Sequence, residues 1–361
     1  MISHTSGLFP PCAPDGLRLG LGGAPLGNLF AAVTPAHALA TVTAAWAGGC
    51  RSFDTAPHYG HGLSERRLGD ALRGLCTLGA ARRPAEQAFA LGAAQRAQPH
   101  ERFVLSSKVG RLLRANPAAA ADQHGYVDVL PFDQHWDYSA EGVRRSIEDS
   151  LQRLGLARID VAYVHDCDAA THGAQAAAVL RQVLDETLPA LRRLQAEGLI
   201  GAIGLGVNDV AVALAVLRET DLDALMLAGR YSLLDHSALT ELLPLCAERG
   251  VHVALGGVFN SGLLANGARG ANPTFNYQPA TRDWLERTVR IEALCAQHAV
   301  PLRAAALQFA LAHPAVEIVM LGARSAEEWS DAQAMARHPI APALWAALRQ
   351  AGLLPGEAPT P

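Results

Sequence analysis

No Lys/Arg-rich block occurs in this chain, so the electrostatic footprint of a nucleic-acid-binding surface is missing. The six cysteines, Cys12, Cys50, Cys76, Cys167, Cys246 and Cys295, form no CxxC pair and no zinc spacing, and no metal is expected. They read as reduced thiols of a cytosolic (cytoplasmic) protein. Met1 to Asp15 has neither a basic start nor a continuous apolar stretch, which argues against a secretory signal. No apolar run is long enough to span a bilayer, so no membrane partner is expected. What remains is a mildly acidic chain of net charge −4, half of whose 361 residues are hydrophobic. Such a composition supports a large core, and the length alone permits one domain or two.

Strand-like and helix-like segments alternate along the chain. Strands are predicted near Leu17–Leu21, Cys50–Asp54, Arg102–Ser107, Ile159–Val164, Leu199–Leu205, Asp223–Leu227, Val251–Leu255 and Val316–Leu321. Helical spacing of apolar residues falls between them, near Pro35–Ala47, Ser64–Leu75, Ala140–Leu154, Val179–Ala196, Val210–Glu219, Leu239–Arg249, Trp284–His298 and Leu302–Ala312. Ser64 and Ser139 are expected to cap their helices, and Gly155 to end one. Eight strands, each followed by a helix, favour a (β/α)8 TIM barrel of α/β class in a single domain, 1–361, over an open sheet. A doubly wound dinucleotide fold would need a G-x-G-x-x-G turn after the first strand. Gly20-Leu21-Gly22-Gly23-Ala24-Pro25 does not supply one.

Two segments interrupt the alternation. Residues 78–100, rich in Ala, Gln and Arg, read as an insertion. Residues 110–138, with Tyr126, Phe132, His135 and Trp136, read as a long substrate loop. The Pro- and Gly-rich tail, 352–361, is expected to fray.

Asp54, Tyr59, Lys108 and His165 each fall at or just beyond the end of a predicted strand. A β/α barrel opens all its strand ends onto one face, where active sites sit, so these four can converge. Singly, each has a plainer reading: a loop cap, a packing ring, a solvated charge, a structural histidine. Together they look like one proton-handling site.

The sequence around them resembles the aldo-keto reductases. The resemblance lies in Phe53-Asp54-Thr55-Ala56-Pro57-His58-Tyr59-Gly60, Ser64-Glu65-Arg66-Arg67-Leu68-Gly69 and Ser106-Ser107-Lys108-Val109-Gly110. It continues through Ser150-Leu151-Gln152-Arg153-Leu154-Gly155 and Val164-His165-Asp166, and covers nearly the whole chain. Gly22-Gly23-Ala24-Pro25-Leu26-Gly27-Asn28, Thr171-His172-Gly173, Ala228-Gly229-Arg230-Tyr231 and Phe259-Asn260-Ser261-Gly262 are similar to the bacterial L-fucose and D-threo-aldose 1-dehydrogenases, with pyridoxal 4-dehydrogenases a close rival.

This resemblance implies an NAD(P)-dependent oxidoreductase in which Tyr59 is the general acid/base, Lys108 lowers its pKa, Asp54 holds Lys108, and His165 orients the substrate oxygen. It also implies a nicotinamide cofactor, NAD or NADP, held by Gly23, Asn208, Arg230, Gly257, Phe259, Asn260, Ser261, Gly262, Gly322, Arg324, Ser325 and Glu328. Ala228 and Leu255-Gly256-Gly257 stand where many relatives carry the Gln and Tyr that contact the nicotinamide. Glu328 would repel a 2′-phosphate and so favours NAD, while Arg324 and Ser325 could contact that phosphate. His58, Trp136 and Arg230 are candidate substrate contacts, and His135 could line the pocket with them. The expected partner is a small sugar substrate, and the protein is expected to be a monomer or homodimer. A general aldehyde reductase and a cofactor-sensing binding module are the remaining alternatives.

Overall fold

The computed structural model describes residues 7–12, 14–81 (side chains to 76) and 103–361. Eight parallel strands close into a barrel: β1 (Leu19–Gly22), β2 (Ser52–Asp54), β3 (Val104–Val109), β6 (Ile159–His165), β7 (Ile200–Val207), β8 (Ala224–Ala228), β9 (His252–Gly256) and β12 (Val316–Gly322). Around the ring the order is β1-β12-β9-β8-β7-β6-β3-β2, so each strand pairs with its neighbours in the chain. The expected (β/α)8 TIM barrel is therefore the observed fold. Two two-stranded ribbons are added, β4 (Arg111–Ala115) with β5 (Phe132–Trp136), and β10 (Thr274–Phe275) with β11 (Gln278–Pro279).

The period-2 pattern of the strands builds two apolar layers. Along β6, Ala162 and Val164 pack outward into the large core shared with the helices. The alternate residues Val161 and Tyr163 join Ala202, Ala224, Met226, Ala254, Ile318 and Met320 in a separate inner cluster. Phe9, from the segment before β1, completes that inner cluster and is almost wholly buried.

Several helices form where the sequence places them. Pro35–Ala47 begins with Pro at its first turn and a Thr34 hydroxyl that accepts from the His37 amide. In Ala140–Leu154, Ser139 accepts from the Gly142 amide, and Gly155 closes the helix in a left-handed conformation. Val210–Glu219 and Leu302–Ala312 also match their expected spans.

Four local expectations fail for identifiable reasons. Ser64 does not cap its helix, which spans Leu63–Ala81; its hydroxyl instead donates to the Gly23 carbonyl and accepts from Thr55. The stretch 179–196 is not one α-helix but passes through a π-turn at Val183–Thr187, just before Pro189, whose missing N–H cannot continue the ladder. Segment 110–138 is not a bare loop, because its two ends pair as the β4–β5 ribbon, with Leu112 and Leu113 both buried. The tail does not fray: Leu353, Leu354 and Ala358 are buried, and Arg349 Nη2 holds the Ala358 carbonyl at 2.8 Å. The insertion expected over 78–100 lies outside the described residues, apart from the end of the helix Leu63–Ala81.

Candidate active site

Strand register brings the four proton-handling candidates to one mouth. Asp54 ends β2 opposite Ser106 of β3, and Gly22 pairs with Asp54 from the other side. Lys108 lies in β3 opposite Tyr163, while His165 ends β6 opposite Gly206 of β7. Tyr59 comes from the turn that follows β2. Gly23 lets this turn approach: a Cβ there would meet the Ser64 hydroxyl at 2.5 Å and the Asp54 carbonyl at 2.7 Å.

Lys108 and Asp54 form a buried ion pair. The Lys108 Nζ donates to Asp54 Oδ2 at 2.7 Å, to Oδ1 at 2.9 Å and to the Thr55 carbonyl at 3.0 Å. An ammonium has three hydrogens, and these three acceptors use them all. Contact with Tyr59 is through the ring face, with Nζ 4.6 Å from the centroid. Lys108 is also the only lysine in the chain; every other basic side chain apart from histidine is arginine. That count was a signal available in the sequence and passed over.

The expected lowering of the Tyr59 pKa is not what the charges produce. Burial pushes its phenol well up, and the Asp54 carboxylate pushes it further. Asp54 offsets the charge of its ion-pair partner, so desolvation of the phenolate dominates. Burial also raises the Asp54 carboxyl, against the opposing effect of Lys108. His165 is held well below the usual imidazole range, first by burial and then by the charges of Arg111 and Lys108. Its ring lies edge-on to Tyr59, with centroids 6.3 Å apart.

Arg111, on the first strand of the β4–β5 ribbon, is a site residue that sequence reasoning missed. Its guanidinium pairs with Asp166 at 2.5 Å, contacts His58 Nδ1 at 2.7 Å and lies 4.0 Å over the Trp136 ring. The register of the ribbon, which sets Arg111 opposite Trp136, is what stacks them. The signal in the sequence was a pair of distant charges: an arginine just beyond the Ser106–Gly110 motif and an acid directly after His165. His58 stands half-buried in the pocket, and Tyr126 stacks against Tyr59 at 6.1 Å. Trp136 remains 42% exposed at the rim. His135 alternates to the ribbon face opposite Trp136 and Gln134. His172 braces its loop through the Asp166 carbonyl and the Tyr138 hydroxyl, both at 3.0 Å. Tyr277 is more than half exposed, yet its phenol is pushed up first by burial and then by Asp166.

Apart from Gly23, which follows β1 next to β2, the cofactor candidates end or follow β7, β8, β9 and β12, on the opposite half of the mouth from β2 and β3. Some are already engaged. Arg230 donates to the Asn208 carbonyl at 2.6 Å and pairs with Asp235 at 3.0 Å. The buried Asn260 amide accepts from Ser232 at 2.6 Å and reaches the Gly229 carbonyl, so it braces two loops. Ser261 Oγ accepts from the Tyr277 amide, and Phe259 is half-buried beside it. Ser325 caps the helix Ala326–Arg337, and Arg324 pairs with Glu328 at 3.0 Å. Gly257, Asn260, Ser261 and Gly262 all have positive φ, which turns this loop tightly. Gly322 ends β12 beside Gly22.

Small residues floor this half of the mouth. Gly206, Ala228 and Gly256 end or nearly end β7, β8 and β9, and none carries more than a methyl group. A Cβ at Gly206 would meet Tyr163 Cβ at 3.2 Å and Lys108 Cε at 3.7 Å, and one at Gly256 would meet nothing nearer than Ala228 at 3.7 Å. The floor beside the ion pair is therefore bare.

A closed barrel with these groups at its C-terminal mouth is the frame of a barrel oxidoreductase, and the comparisons specify which. The chain belongs to the aldo/keto reductase family, which it matches over residues 18–352. It is 39% identical to a D-threo-aldose 1-dehydrogenase of a Pseudomonas species, over 96% of this chain and 98% of that one. It is 40% identical to the pyridoxal 4-dehydrogenase of Microbacterium luteolum, over 93% and 94%. Among solved structures, an aldo-keto reductase of Bacillus halodurans in its holo form has the same fold, with a TM-score of 0.65 at 22% identity and 97% coverage of both chains. The protein is thus an oxidoreductase of this family.

Proposed function

We propose that this protein oxidises the anomeric carbon of an aldose to the lactone, with NAD(P) as hydride acceptor. What carries the reading is the buried Asp54–Lys108 pair beneath the Tyr59 ring, with a neutral His165 beside it, in a chain similar along its length to an aldose 1-dehydrogenase. The bare floor formed by Gly206, Ala228 and Gly256 is where a nicotinamide ring would rest, with Arg324, Ser325 and the 257–262 backbone toward the rest of the cofactor. Bound there, the cofactor supplies the two-electron acceptor.

The residues handle the proton. In oxidation, Tyr59 must take the C1 hydroxyl proton as hydride leaves C1. In the reverse direction it returns that proton. Since burial holds the phenol protonated, oxidation should speed up as pH rises and more phenolate forms, while reduction uses the resting form directly. His165 donates to the substrate oxygen and fixes its angle. Lys108, its hydrogens committed to Asp54 and Thr55, meets Tyr59 through the ring face and holds Asp54 in place beside it.

A second reading is a pyridoxal 4-dehydrogenase, which the near-equal similarity to that enzyme supports. Both substrates are cyclic hemiacetals, and the same proton path serves either. The engagement of Arg324 by Glu328 favours NAD over NADP. The test is Tyr59→Phe assayed with aldoses and with pyridoxal. Turnover should fall by about 10²–10⁴-fold while nicotinamide binding is retained. An unchanged rate would overturn the assignment, and activity on pyridoxal alone would select the second reading.

A further inference from the structure

We propose that Arg111 is a positioning residue that fixes the proton of His58 on Nε2, giving the pocket a second neutral hydrogen-bond donor beside His165. This rests on the hemiacetal-oxidation reading for its substrate. The second donor would recognise a second oxygen, one attached to or next to the reacting carbon, such as the ring oxygen of a cyclic hemiacetal.

The argument begins with what a guanidinium can do: it donates hydrogen bonds and never accepts them. Arg111 Nη1 lies 2.7 Å from His58 Nδ1, so Nδ1 must present its lone pair. The other hydrogen of that nitrogen goes to Gln134 Oε1 at 3.0 Å. Gln134 Oε1 also lies 2.9 Å from His58 Nδ1, which defines the competing arrangement, an Nδ1–H donating to Gln134. That arrangement would set two N–H groups against each other across 2.7 Å. With the proton on Nε2 instead, the Nδ1 lone pair and the Gln134 oxygen lie 2.9 Å apart, and the two hydrogens of Arg111 Nη1, one to each acceptor, hold that pair together. His58 Nε2 has no hydrogen-bond partner among the described residues. The rings of His58, Tyr59 and His165 form a near-equilateral triangle, with centroids 5.9, 6.1 and 6.3 Å apart. These distances place the His58 ring beside the reacting centre.

The same guanidinium acts on His165 through Asp166. Asp166 Oδ2 is 2.5 Å from Arg111 Nη2 but 3.4 Å from His165 Nε2. A carboxylate claimed by arginine at that distance does not draw in the imidazole proton. Remove the guanidinium, and Asp166 becomes a free acceptor beside His165. Arg111 is buried and stacked on Trp136, so it cannot swing away to release either histidine.

The first experiment is the imidazole 15N spectrum of the full-length protein, with the His58 signals assigned by their loss in His58→Phe. The expected result is a neutral Nε2–H tautomer in the native protein that is lost in Arg111→Met. An Nδ1–H signal for His58 in the native protein would overturn the proposal, whatever the enzyme oxidises. The second experiment is steady-state kinetics with thermal melts as the control for folding. Arg111→Met should raise KM for the sugar at least tenfold relative to KM for a simple aldehyde without a second oxygen. In the His58→Phe background the same substitution should change the ratio of KM for the sugar to KM for the aldehyde by less than twofold, since the effect through His165 falls on both substrates, and Arg111→Lys should rescue part of the native affinity. Equal losses on both substrates in the native background, or a full change of that ratio in the His58→Phe background, would refute the positioning role. An Nε2–H tautomer dependent on Arg111, found together with no turnover of any hemiacetal, would uphold the positioning and refute the substrate reading instead.

Discussion

Removing the Asp54 charge while keeping its shape tests whether the heart of the site is dry. In Asp54→Asn, Lys108 would keep the Thr55 carbonyl and one amide oxygen but lose its counter-charge, with both side chains almost fully buried. Breaking a buried ion pair from one side costs about 3–5 kcal/mol, because an uncompensated charge stays in the interior. At about 2.1 cal/mol/K of unfolding entropy per residue, a loss of ~4 kcal/mol lowers Tm by roughly 5 °C in a chain of this size. The double variant Asp54→Asn, Lys108→Met removes both charges. It should recover most of that loss, since well-packed neutral replacements of buried pairs are often neutral or stabilising. Activity should behave oppositely, with both variants losing turnover. Calorimetric melts paired with NAD(P)H production would measure the two quantities on the same samples. A Tm shift below about 1 °C in Asp54→Asn would mean that water reaches the pair, and the argument for a desolvated Tyr59 would fall with it.

Three further outcomes follow from other parts of the chain. The imidazole of His252 is raised by its hydrogen bond to Glu317, whose carboxylate also accepts from the Phe9 amide at 2.6 Å. Its stabilisation is fully present below the ordinary imidazole pKa of about 6.5 and is lost as pH climbs through the raised one. Melts between pH 5.5 and 8.5 should therefore show falling stability, and a His252→Gln variant should lack that slope; an equal slope in the variant would refute it. Leu353→Ala should destabilise by about 2–5 kcal/mol, measured by denaturant titration, because this tail residue is fully buried; a cost below 0.5 kcal/mol would mean that the tail is loose. Glu328→Ala frees the Arg324 guanidinium, and kcat/KM for NADP relative to NAD should rise about tenfold, equivalent to ~1.4 kcal/mol; an unchanged ratio would place the 2′-hydroxyl region elsewhere.

The barrel was legible because its signals are local. Helix Ala140–Leu154 carries its own start and stop in Ser139 and Gly155, and the strands carry apolar runs of the right length. Asp54, Tyr59, Lys108 and His165 were legible as strand-end positions, since a parallel barrel gathers all its strand ends. What escaped depends on long-range partners. Arg111 gains meaning only when β4 folds against β5 and meets Asp166, 55 residues away. The acidity of Tyr59 escaped too, because it reflects the balance of Asp54 against Lys108 in a buried setting rather than the presence of a nearby cation. The 352–361 tail looked loose from its prolines and glycines, but Leu353 and Leu354 have a core to join.

The solitary lysine gives the protein an uncommon property as a reagent. Its one side-chain amine is 2% exposed and locked to a carboxylate, while the rest of the chain presents only guanidinium cations and imidazoles. A protease that cuts only after lysine would find one site, sealed inside the barrel wall. Cleavage there, into fragments 1–108 and 109–361, would require the barrel itself to open. When opening and closing are fast relative to cutting, proteolysis reports the population of the open form. The rate at which those two fragments appear would then read the equilibrium fraction of opened barrel under native conditions, without any label or engineered reporter. Bound nicotinamide or substrate would register directly as a slower clock.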